Sequence, residues 1–176
     1  MSENKYDFLS KMSENKYDFL SKMSENKYDF LDFLGNYAPW ISFFGTILVF
    51  IFKNIEFVYL QIFIIGFFIN LSLNIFLKQY IFNNNKRTGF ISKTTGKNTM
   101  PSGHAQATFF TVFFLSIMIF RKLIKGIEYN VLLTVISILG IITAYNCIRG
   151  RYHTIDQVEI GILFGFAVAY IATSFI

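Results

Sequence analysis

The chain of 176 residues is 53% hydrophobic and only 15% charged, against roughly 45–50% and about 25% in an average soluble protein, a balance that argues against a soluble globular domain. Its single cysteine, Cys147, excludes an internal disulfide. The formal charge of +5 suits nucleic acid, anionic lipid or a phosphorylated substrate, and the positions of the cations must separate these.

In chain order, residues 1–11 and 12–22 are both MSENKYDFLSK, and 23–31 repeat its first nine letters. An eleven-residue period fits a helix at about 3.67 residues per turn, so a helix lying on a membrane surface is one reading. Recent duplication of a short coding segment is the other. The repeats carry no pattern of a cleaved signal peptide. The expected organisation is a triplicated segment over 1–33, a first membrane span and link over 34–56, and a membrane core over 57–176.

Five apolar stretches follow, at 36–52, 57–77, 103–120, 129–148 and 157–176. A bilayer-crossing helix needs about 20 mostly apolar residues. Only helices and closed barrels satisfy the backbone in lipid, and these runs lack the alternation of barrel strands. The predicted fold is all-α, a multi-pass membrane bundle of about five helices.

Parity then sorts the cations. Links separated by two spans open on the same side, so Lys78, Lys86, Arg87, Lys93, Lys97, Arg149 and Arg151 share one side with His104 and His153. Lys53, Arg121, Lys122 and Lys125 lie on the other. Read naively, the positive-inside rule makes the histidine side cytoplasmic, but cations needed for chemistry enter the same count, so orientation stays open. Charge held between membrane spans counts against nucleic acid and leaves the bilayer and a lipid phosphate as partners; oligomeric state is not readable. The last span carries Gly161, Gly165, Ala169 and Thr173 at four-residue spacing, a small-residue stripe suited to close helix packing.

Three groups of polar residues carry the chemistry. Pro101-Ser102-Gly103-His104 opens the third span, with serine as a good N-cap. The amides of Gly103, His104 and Ala105 would point unpaired donors at an anion, and His104 can face it too. From average residue frequencies, PSGH arises by chance in roughly one chain in a thousand of this length, which favours a functional reading. The second histidine stands in Arg149-Gly-Arg151-Tyr-His153-Thr-Ile-Asp156-Gln157. Its guanidiniums suit phosphate oxygens, and either Asp156 or Gln157 is placed to hold one ring nitrogen. Thr154 and Gln157 also read as a plain capping box. Lastly, Asn70, Asn74 and Lys78 step along one helical face toward the cationic loop, where Lys78 could reach an anion held by the histidine motifs.

Two histidines among cations suggest phosphoryl transfer without a metal. One neutral imidazole attacks phosphorus, and the other, protonated, gives the leaving oxygen its proton. No Cys/His/carboxylate set has the spacing of metal ligands, so no metal and no other cofactor is expected.

These residues resemble the type 2 phosphatidic acid phosphatase (PA-phosphatase/haloperoxidase) superfamily, marked by KxxxxxxRP, PSGH and SRxxxxxHxxxD. The resemblance covers residues 57–176, and PSGH at 101–104 matches in full. It implies that His104 is the general acid, His153 the nucleophile, and Ser102 and Gly103 phosphate contacts, with Lys78 and Arg87 in the first motif. MPSGHAQ and YHTIDQV are most similar to the dolichyl-diphosphatase branch, which implies an isoprenoid diphosphate or similar lipid phosphate as substrate. The chain departs from the pattern in three ways. Eight residues rather than six separate Lys78 from Arg87, and Thr88 replaces the proline. Asn146 and Cys147 stand where the family has serine and arginine, so Arg149 or Arg151 is left to supply the guanidinium. Five spans are present where members usually have six. A head-group phosphotransferase and a non-catalytic lipid-phosphate binder are the alternative functions.

Overall fold

The computed structural model describes residues 30–82, 100–150 and 152–176. The repeats over residues 1–29, with Lys86, Arg87, Thr88, Lys93, Lys97 and Arg151, lie outside the described residues.

Five helices are long and apolar enough to cross a membrane. They are α1 (Phe30–Phe52), α2 (Phe57–Phe76, continued by a π-helical turn over Leu77–Ile81), α3 (Gly103–Phe120), α4 (Ile127–Arg149) and α5 (Ile155–Thr173). No strand occurs among the described residues. The chain is an all-α, multi-pass membrane protein, as its apolar runs indicate. Only α3 keeps both bounds of the sequence reading: the α2 span runs on to Ile81, α4 covers Ile127–Arg149 and α5 ends at Thr173, while the starts of α1 and α5 have local causes. α1 begins six residues before the apolar stretch at 36, because Phe30, Leu31, Phe33 and Leu34 already favour a helix in an apolar setting. α5 begins at Ile155 because Thr154 and Gln157 form a reciprocal cap just before the apolar run.

α3 packs against α2, α4 and α5 and is the most enclosed of the five. The chain's many phenylalanines fill the joint of α1, α2 and α3. Phe43 stacks on Phe67 with ring centroids 4.3 Å apart, and Phe63 lies 5.2 Å from Phe114. In lipid such contacts act through close packing and ring geometry, since the bilayer is as apolar as the core.

The small-residue stripe of α5 lies against α3 and is buried throughout. A Cβ on Gly161 would stand 2.7 Å from the Ser102 carbonyl oxygen, and one on Gly165 would stand 2.6 Å from that of Gln106. No side chain fits there, so glycine lets the two backbones touch. At one end of this pair the Ser102 amide donates to the Gln157 carbonyl at 3.0 Å. At the other, Arg121 Nη1 donates to the Thr173 carbonyl at 2.6 Å. The far end also holds an exposed ion pair, Lys53 Nζ to Glu128 Oε1 at 2.7 Å.

Candidate functional site

The starts of α3 and α5 and the ends of α2 and α4 meet at one end of the bundle, and both histidines are there. Ser102 occupies the N-cap position of α3 but makes no side-chain cap bond. Its hydroxyl is fully buried and lies 3.6 Å from Cys147 Sγ instead. The expected serine cap is therefore absent: among the described residues the Ser102 side chain takes none of the α3 first-turn amides, which sit at the positive end of the helix dipole. His104, in that turn, is exposed.

The second histidine is set by the end of α4. The amides of Tyr152 and His153 both donate to the Cys147 carbonyl, at 3.1 and 3.0 Å, which turns the chain sharply and brings His153 back over the helix end. Its ring then meets Gln157, with Nδ1 3.2 Å from Oε1. The same Oε1 accepts the Thr154 amide at 3.2 Å, while the Gln157 amide donates to Thr154 Oγ1 at 3.4 Å. A backbone amide can only donate, so the atom it faces must be the carboxamide oxygen. That oxygen can only accept from the ring. Nδ1 therefore carries a proton, and in the neutral ring Nε2 carries the lone pair. The capping box and the ring-orienting contact are one arrangement, and Gln157 makes both. Its backbone oxygen also receives the Ser102 amide, so a single residue ties the two histidine turns together.

Lys78 completes this end. Its Nζ is 3.5 Å from the point where a Cβ on Gly103 would stand. It is near enough to act electrostatically on the His104 ring and the Cys147 thiol. Lys78 sits in the π-helical turn that continues α2, a local widening often found at functional sites. Asn70 and Asn74 share its face, as their spacing indicates, and both are buried. They are bonded to Gln106, a fully buried residue that the motif reading left without a role. A glutamine inside an apolar span carries the same signal as the two asparagines, because buried amides in membranes must be satisfied by partners.

Other expected residues fall elsewhere. Asp156 is exposed, and the ring contact goes to Gln157, because the turn onto the Cys147 carbonyl brings His153 over that side chain. Cys147, where the motif it resembles carries an arginine, is buried against Ser102 and faces the α3 start. Arg149 follows Cys147 in α4. Two residues further on, it is turned roughly 200° around the helix, and its guanidinium lies over the Tyr145 ring at 5.7 Å. Arg87 and Arg151, expected phosphate contacts, lie outside the described residues. Among the described residues no three His, Cys, Asp or Glu side chains converge as a metal-holding group.

These features define a multi-pass helical membrane protein with two histidines and a lysine gathered at the start of α3. Residues 60–176 match the profile of the PAP2 superfamily, well over half of the chain, and the chain belongs to that superfamily. Membership supports a phosphatase-type activity on lipid phosphate. No curated protein and no solved structure matches the chain.

Proposed function

We propose that the chain is a lipid-phosphate phosphatase, acting on an isoprenoid diphosphate or a related lipid phosphate through a phosphohistidine, with its catalytic core in residues 57–176. The observation that carries this reading is the hydrogen bonding of Gln157, which leaves the His153 lone pair on Nε2. Nε2 attacks phosphorus, the bond from phosphorus to the leaving oxygen breaks, and protonated His104 gives that oxygen its proton. Water then attacks the phosphohistidine. Neutral His104 takes the water's proton, Nε2 leaves with the electron pair, and phosphate is released. Lys78 and the amides of the α3 first turn, with Ser102 and Gly103 at its start, stabilise the charge on the transferred group. The likeness of MPSGHAQ and YHTIDQV to the dolichyl-diphosphatase branch supports the isoprenoid substrate. The steps call on imidazoles, the Lys78 cation and backbone amides, so turnover is expected to survive excess chelator.

One observation favours a second reading. Cys147 stands where the family has an arginine, and a site short of that guanidinium could bind lipid phosphates without turning them over. A panel of phosphatidate, dolichyl and undecaprenyl diphosphate and sphingoid phosphate, presented in detergent micelles with chelator, separates the two. Phosphate release that His153→Ala and His104→Ala abolish supports hydrolysis, as does an acid-labile, base-stable phosphoenzyme. Added acceptor lipid tests for head-group transfer. A folded His153→Ala protein with wild-type turnover sinks the mechanism.

A further inference from the structure

Three buried amides join α2 to α3 directly below the α3 start. Gln106 Nε2 donates to the Asn70 carbonyl at 3.1 Å and to Asn70 Oδ1 at 2.9 Å. Gln106 Oε1 accepts from Asn74 Nδ2 at 2.7 Å. Asn74 Nδ2 also approaches the Pro101 carbonyl at 3.3 Å, and Asn70 Nδ2 reaches the Gln106 carbonyl at 3.4 Å. Two successive turns of α2 are thus bonded to the residues that flank Ser102 and Gly103.

Apolar packing would hold these helices together at no desolvation cost, because polar bonds between membrane helices add little net stability. What the amides add is direction. A slip of α2 by one residue would rotate it about 100° and shift it about 1.5 Å, breaking every bond of the set. Such pinning is needed here because the π-helical turn begins at Leu77, three residues after Asn74. Lys78 is the second residue of that wider turn, so its placement depends on where the α-helical part is held. Asn74 is the last pinned position before it, and Lys78 Nζ arrives beside Gly103.

We propose that Gln106 is a positioning residue that, through Asn70 and Asn74, holds Lys78 at the phosphate seat of the α3 first turn. The proposal rests on the reading that this seat takes a phosphoryl group. It is tested on the full chain in detergent by titrating inorganic phosphate directly and by measuring turnover, with thermal unfolding as the check on folding. Lys78→Met should weaken phosphate binding and lower kcat/KM by about 10- to 100-fold, as expected for the loss of a hydrogen bond to a charged group. Gln106→Leu should weaken both about tenfold, and the double variant should fall no lower than Lys78→Met alone. The near-isosteric Gln106→Met carries the test if the leucine variant does not fold. Losses that multiply in the double variant, or a folded Gln106 variant with wild-type phosphate affinity, overturn the proposal. Phosphate binding by a wild-type chain that hydrolyses no lipid would defeat the proposed function but not this role, since the titration needs no turnover.

Discussion

Gly161→Ala adds one methyl group to the backbone contact between α5 and the α3 start, beside the histidine turns. Its carbon would stand 2.7 Å from the Ser102 carbonyl oxygen, and 3.4 Å from the amides of Ser102 and Gln106. All three are backbone atoms, so no side chain can swing aside. Ordinary contact begins near 3.4 Å, and the start of α5 must therefore withdraw from α3 by about 0.7 Å. The Ser102 to Gln157 bond, now 3.0 Å, would stretch beyond useful hydrogen-bonding length, and His153, held by Gln157, would move with it. Overpacking of this kind costs about 1–3 kcal/mol. Because a 1 Å misplacement of reacting groups can cost about a hundredfold in rate, turnover should fall about tenfold or more. The assay pairs thermal unfolding in micelles with phosphate release from the lipid panel. Gly45→Ala in α1 is the control, because nothing lies within 4 Å of its added carbon; it should be neutral or gain up to about 1 kcal/mol from helix propensity. Wild-type turnover and melting in Gly161→Ala, or equal damage in Gly45→Ala, would refute the reasoning.

Gln157→Glu keeps an acceptor for both the Thr154 amide and His153 Nδ1 but adds negative charge, which favours the imidazolium. The attacking ring must be neutral, so the acid limb of the kcat/KM profile should move to higher pH, whereas Gln157→Leu should lose rate at every pH. Thr154→Val removes the cap of α5 and should cost about 1 kcal/mol in thermal unfolding. Lys53→Met breaks the exposed pair with Glu128 at the far end and should leave turnover on the lipid panel unchanged, which would separate cations at the site from cations elsewhere.

Most of the fold was legible because apolar run length is a strong signal, and parity needed only the order of the runs to bring His104 and His153 to one end. The stripe from Gly161 to Thr173 was equally plain, since small residues four apart have few other uses in lipid. The site was legible by type but not by partner. Spacing left Asp156 and Gln157 level, and only the sharp turn onto the Cys147 carbonyl decides which side chain returns to the ring. Ser102 read as a cap, because local preference cannot anticipate a hydroxyl drawn toward a thiol 45 positions away. The role of Gln106 depends on two residues of another helix, a pairing that no local pattern encodes.

The two end bonds of the α3–α5 pair have a mechanical consequence. Glycine and alanine make a smooth seam, and a smooth seam offers little resistance to sliding. The Ser102–Gln157 and Arg121–Thr173 bonds act as stops at opposite ends of it. An axial slip of a single residue, about 1.5 Å, would have to break both together, so the two histidine turns keep their relative height whichever lipid lies alongside.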